Sequence, residues 1–322
     1  MGYRRFVKIW FSVLLIGGIA GIVLVELFVR SVLIPNDMVA IKEKLLAKHR
    51  KQIRILALGD SHVLNGLTSE EGSGIFNFAK GSDTIPLYYF KLKQAMNVAP
   101  VEVLLLQFDP HIFSTYRKHA GSLPKLYTHI IDEDVEPELG YYPKQQKESS
   151  SFLSMTENYG PFVFKSLGKY LQGKLKPPRV KENGFTGEKG DWSRYDTHVQ
   201  HDKALKRIQT QVRAGTMIEP LILKWYEKVI SHARKKGLRV VLISYPLSRA
   251  YLEILDTGEK RAFEELKEKL VHRYGVDYWD YRSVFVSHDH YFANSDHLNE
   301  SGAEAFSELL EKKLLSTHGK QQ

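Results

Sequence analysis

Three runs of this chain are apolar at nearly every position, and they constrain its fold more than any other feature. IRILALGD (53–60), VEVLLLQFD (101–109) and LRVVLISYP (238–246) have strand length and do not alternate with polar residues. A strand that is apolar on both sides has to be covered on both sides. Segments of helical spacing separate these runs: 84–97, about 202–236 and about 258–273. The second carries Leu221, Ile222, Trp225, Val229 and Ile230 at helical spacing and stops at Gly237. VDYWDY (276–281) reads as a short fourth strand, and 301–315 as the last helix. This alternation predicts an α/β fold: a doubly wound, mostly parallel sheet flanked by helices. The site of such a sheet lies beyond the carboxyl ends of its strands. Ser61, Asp109 and Pro246 fall there.

The N-terminus adds a second constraint. Residues 9–25 carry no charge, and the apolar stretch runs on to Val29 around a single Glu26. That is close to the ~20 residues that a membrane-crossing helix needs. Arg4, Arg5 and Lys8 precede it as in a secretory signal, but no A-x-A-like cleavage site follows. An uncleaved transmembrane signal anchor is therefore expected over 1–35. Basic residues are more numerous after the span than before it, yet long following domains translocate largely regardless of such counts. The expected topology is single-pass, with the N-terminus inside and the bulk of the chain extracytoplasmic. Residues 36–52 read as a stalk, a short amphipathic helix, and 53–322 as the α/β domain. Within that domain, about 116–200 loses periodicity and is rich in Tyr, Lys, Gly, Pro and Ser, as expected of an irregular insertion or cap.

Composition narrows the function classes. With 43% hydrophobic and 26% charged residues, the chain can bury a core. The net charge of +9 gathers near the apolar segment and in 165–185, without any nucleic-acid-binding motif. Membrane head groups or anionic glycans are the expected counterparts, and nucleic acid is not. The absence of cysteine excludes disulfides, thiolate metal sites and cysteine nucleophiles. No glycine-rich phosphate loop is present, so no cofactor is expected. His288, His290 and His297 with Asp289 and Asp296 match no standard metal spacing, and a loop beside the active centre accounts for them. Tyr127, Tyr141, Tyr142, Tyr159 and Trp192 either stack on sugars or pack the cap, and packing is the simpler reading.

The motifs that carry chemistry stand at opposite ends of the chain. ALGDSHVLNG (57–66) puts Ser61 on a strand-to-helix turn, near a helix N-terminus that favours developing negative charge. The alternative is that Asp60 and Ser61 only cap the next helix. NSDHLNESGAEAFSELL (294–310) places His297 in a turn before the final helix, from where a doubly wound sheet can return it to Ser61. Together these blocks resemble the SGNH/GDSL-like hydrolase superfamily. Within it they are most similar to the membrane-anchored DltD-like and AlgX-like proteins of cell-surface polymer acylation. The likeness covers about 53–110 and 238–315.

The resemblance implies Ser61 as nucleophile and His297 as its base. It implies Gly81, in NFAKGSDTIP (77–86), as a backbone oxyanion donor. Two departures from the family pattern matter. Where the family has Gly-x-Asn-Asp, LLLQFDP supplies Gln107 and Asp109. An ionised Asp109 would repel an oxyanion, so it is protonated, or Gln107 takes over, or the hole is incomplete. The family's aspartate, three residues before the histidine, is Asn294 here, with Asp296 adjacent to His297. Asn294 can orient the ring but stabilises an imidazolium poorly, so restoring an aspartate at 294 is expected to help. Three functions are open: a serine esterase or O-acyltransferase acting on an acylated cell-envelope polysaccharide of a bacterium, a non-catalytic membrane-tethered scaffold or glycan-binding partner, or an anchored lipase or thioesterase, which would need an apolar acyl groove. A membrane O-acyltransferase and a cell-surface glycan are the implied partners.

Overall fold

The computed structural model describes residues 2–70, 72–118, 135, 139 and 162–318. Its centre is a five-stranded parallel sheet built from β1 (Ile55–Leu58), β2 (Ile75–Asn77), β3 (Val103–Gln107), β4 (Arg239–Ser244) and β5 (Asp277–Asp280), in the order β2-β1-β3-β4-β5. The three long apolar runs form the inner strands, in register Leu58↔Leu106 and Gln107↔Ile243. Successive residues point to opposite faces. Leu56, Leu58, Leu104, Leu106, Val240 and Leu242 enter one core, while Ile55, Ala57, Val103, Leu105, Val241 and Ile243 enter the other. Helices cover both faces, as those runs demand.

The first face is covered by α2 (Met38–Lys48), α4 (Ile85–Val98), α8 (Pro220–Lys235) and α10 (Thr257–Tyr274). The second is covered by α3 (Ser61–Gly66) and α11 (Glu300–His318). Local chemistry sets their ends. Asp256 and Glu259 form a reciprocal capping box at the start of α10, and Gly275 closes it at φ 57°. The expected single helix over about 202–236 is two: α7 (Thr197–Gln211), capped by Asp196, and α8. The chain breaks at Gly215, φ 101°, and restarts at Pro220, whose ring suits only a first helical turn. Short helices α5 (Thr115–Lys118) and α9 (Arg249–Ile254) flank the site.

The N-terminal α1 (Tyr3–Phe28), prolonged by a π-helical turn (Val29–Leu33), is long and apolar enough to cross a membrane. Phe11 and Leu14 are 68% and 70% exposed, which a core helix would not allow. Residues 36–52, expected as a stalk, do not stand free. α2 buries Val39 and Leu46 in the sheet's first core and Lys42 beside them. The pattern is that of a core helix because its apolar positions meet α4 rather than solvent. Much of the expected 116–200 insertion, with Tyr127, Tyr141, Tyr142 and Tyr159, lies outside the described residues. From Phe162 it holds α6 (Phe162–Leu171) and a turn running to Trp192. Trp192 is 1% exposed and packs on Tyr195, so it serves packing rather than sugar stacking.

If α2 is core, Leu46→Ala should cost about 2–4 kcal/mol in chemical denaturation, as buried leucines do. A free stalk would show no change.

Candidate active site

All five strands run parallel, so their carboxyl ends share one edge of the sheet. The strand order reverses between β1 and β3, which opens a crevice there. Ser61 starts α3 just past β1, Asp109 follows β3, and Gly81 follows β2. The 294–297 loop enters from the start of α11. Gly59 makes the close approach possible: a Cβ there would lie 2.1 Å from Val63 Cγ2 and 2.5 Å from Gln107 Oε1.

Ser61 Oγ stands 2.8 Å from His297 Nε2, and His297 Nδ1 stands 3.0 Å from Asn294 Oδ1. With Nδ1 protonated toward the amide oxygen, Nε2 accepts from the serine hydroxyl. Asp296 Oδ1 is 3.5 Å from the same Nδ1, beyond the distance to Asn294. Its other oxygen is committed elsewhere, to Arg207 Nε at 2.8 Å and His62 Nε2 at 3.2 Å. Asn294 is itself oriented, its Nδ2 donating to Glu188 Oε1 at 3.0 Å. Glu188 also accepts from Asn65 at 2.9 Å. A line of contacts therefore runs Ser61, His297, Asn294, Glu188.

Gly81 borders the serine: a Cβ there would lie 4.0 Å from Ser61 Cβ, and its own φ is not left-handed. A Cβ at 81 would meet only ordinary van der Waals contacts, so neither space nor turn geometry demands a glycine there. The left-handed residue is Ser82, φ 65°, which costs a non-glycine about 1–2 kcal/mol. Two buried lysines hold this loop. Lys42 donates to the carbonyls of Asn77, at 2.9 Å, and Ala79, and Lys91 to that of Phe78, at 2.7 Å, and to Asp83.

Gln107 and Asp109 do not face the serine. Gln107 Oε1 accepts from the Asp60 N–H at 2.7 Å and its Nε2 donates to Asp109 at 2.8 Å, so the expected oxyanion role finds its side chain spent. Asp109 accepts from the Tyr245 N–H at 3.1 Å and pairs with His62 Nδ1 at 3.2 Å. Both are fully buried beneath the site.

Sequence reasoning missed His62, His111, Arg117, Arg207 and Glu188. His62 lies within Gly-Asp-Ser-His and Glu188 within GEKGDW (187–192), but only tertiary closure reveals their partners. Burial favours a neutral His62. The hydrogen bonds and charges of Asp109 and Asp296 outweigh it and hold its pKa up at about 9. Burial, with the His62 charge added, pushes His111 down to about 3. Burial also pushes His297 down to about 3, with the cations of His62 and Arg207 adding to it against the pull of Asp296. His111 Nε2 donates to Asp60 at 2.8 Å, and Arg117 donates to the same carboxylate.

Two groups place three ligand-type atoms within 4.8 Å of one another: Asp60, His62 and His111, and His62, Asp296 and His297. These are the residues that could gather round a metal ion. Their atoms already bind each other, and Arg117 and Arg207 supply positive charge to Asp60 and Asp296. The donor set therefore fits an internal ion network better than a metal centre. Neither group includes the exposed His288 or His290.

Two tests follow from the charges. His62 gains stability from its raised pKa below pH 6.5 and loses it as pH rises through about 9. His111 and His297, with lowered pKa values, lose stability as pH falls from 6.5 toward about 3. The combined contribution of these three histidines to thermal stability should therefore be largest near pH 6.5, the free histidine pKa. His62→Gln should flatten the alkaline limb. Asn294→Asp, expected from the sequence to help, would set a second carboxylate against Glu188. It should lower stability by about 1–3 kcal/mol, and Glu188→Gln in the same chain should restore most of that in thermal melts.

No family model, no characterised protein and no solved structure matches the chain.

Proposed function

We propose that this chain is a membrane-anchored serine esterase or O-acyltransferase of the SGNH/GDSL-like kind, acting on an acylated cell-envelope polysaccharide. The observation that carries the reading is the 2.8 Å contact between Ser61 Oγ and His297 Nε2 at the carboxyl edge of a parallel sheet. A serine in reach of a neutral imidazole, itself oriented at Nδ1, has the geometry of an activated nucleophile. The bilayer is its first partner, through α1, with the domain extracytoplasmic in a bacterial cytoplasmic membrane. A membrane O-acyltransferase that supplies the acyl group fits this placement.

Ser61 Oγ attacks the acyl carbonyl while its proton passes to His297 Nε2. Backbone N–H groups of Ser61 and the Gly81 loop receive the oxyanion. The tetrahedral adduct collapses, its C–O bond breaks, and His297 returns the proton to the leaving alcohol. Water or a glycan hydroxyl then attacks acyl-Ser61, giving its proton to His297, which delivers it to Ser61 Oγ as the enzyme is freed. Asn294 keeps the ring aimed.

One observation favours a second reading, a non-catalytic tethered scaffold or glycan-binding partner: the group at His297 Nδ1 is a neutral amide, not a carboxylate. Complementation of envelope acylation in a deletion strain separates the two. Ser61→Ala and His297→Ala, at normal abundance, should each lose acyl transfer or release to a similar depth, since residues acting as a unit fail together. Full complementation by Ser61→Ala would leave the scaffold as the better account.

A further inference from the structure

Helix α6 packs away from both sheet cores. It buries Val163 against Phe28, Val29 and Leu33 at the end of α1, in an apolar cluster of its own, and the Tyr170 ring lies 5.2 Å from that of Phe28. At 100° per residue, Phe164 and Leu171 fall together on the flank beside this seam, and Lys165 and Lys169 fall on the opposite flank. Phe164 is 67% and Leu171 77% exposed. A helix meeting only water would carry polar residues where these two stand.

The place of α6 along α1 says what covers them. Apart from Lys8 and the buried Glu26, residues 7–27 of α1 present a largely exposed apolar surface, and at ~1.5 Å per residue this length matches the roughly 30 Å of a bilayer's hydrocarbon core. The apolar cluster that α6 joins begins at Val25, in the last turn of that surface. The chain leaving α6 continues with Lys174, Lys176 and Arg179, all exposed.

We propose that α6 is an interfacial helix, lying in the head-group layer of the bilayer that α1 crosses. Its Phe164 and Leu171 flank enters the acyl boundary, and its lysines meet anionic phosphates. The inference rests on the reading of α1 as a membrane span and gives the domain a second membrane contact. The chain continues from α6 along the edge strand, where the Asn183 carbonyl accepts from the Asn77 N–H at 2.8 Å, and on to Glu188. A bilayer contact at α6 thus fixes one end of the segment whose other end orients Asn294.

Because the chain has no cysteine, single nitroxide labels can be placed directly. Phe164→Cys, Leu171→Cys, Ile16→Cys and Lys312→Cys would be labelled in the full chain. Each would be reconstituted in vesicles of phosphatidylcholine and phosphatidylglycerol, and collision with oxygen and with an aqueous nickel chelate measured. The expected result is a deep Ile16 label, an aqueous Lys312 label, and labels at 164 and 171 about 5–10 Å below the phosphates. Nickel-accessible labels at 164 and 171 with a deep Ile16 label would overturn the proposal and leave the span intact. Labels at 164 and 171 shielded from both reagents would overturn it in favour of a protein cover, from residues 119–161 or a second copy. An aqueous Ile16 label would overturn the span itself, and the proposal with it.

Discussion

A buried cation joins the two halves of the site. His62 stands between Asp109, at the end of β3, and Asp296, in the loop before α11, at 3.2 Å from each. His62 is the covalent neighbour of Ser61, and Asp296 that of His297. Pairing 62 with 296 thus sets 61 close to 297, and the Ser61–His297 contact rests on the ion pair beneath it. Removing one partner would strand a buried charge, at a cost of roughly 3–5 kcal/mol. The fold pays that desolvation once and spreads it: Arg207 shares Asp296, while Arg117 and His111 hold Asp60, which caps the helix that Ser61 begins.

The same network accounts for the residues found at positions 107, 109 and 294. Asp109 faces a cation, not the site, and Gln107 ties it to the Asp60 backbone. Asp296 is occupied by His62 and Arg207, so the ring of His297 turns to Asn294, whose amide can accept from Nδ1 and donate to Glu188 at once. An aspartate at 294 could accept from the ring but would have no proton for Glu188. In this surrounding the asparagine is the residue that satisfies both neighbours.

Much of the fold was legible because buried parallel strands are apolar on both sides and leave a plain signature. β2 was not, since its three residues are too few for any period to show. The helix break before Pro220 was hidden by apolar residues that keep helical spacing on either side. At the site, Ser61, His297 and Gly81 stand in local phrases, and the structure brings them together. The charges that hold them there come from separate elements. Arg207 lies on α7 and Glu188 in an irregular turn, and neither carries a local pattern that marks it apart from a solvated residue. Lys42 lies in the expected stalk, and nothing local marks it as the donor to the Asn77 and Ala79 carbonyls at the sheet edge.

The central claim is that Ser61 is a nucleophile activated by His297. Treatment of the folded chain with a fluorophosphonate, followed by intact-mass and peptide mass spectrometry, tests it most directly. One adduct on Ser61 in the native chain, and its loss in His297→Ala, is the result this account predicts. A folded chain without an adduct at Ser61, or one that His297→Ala labels at the same rate, would contradict it.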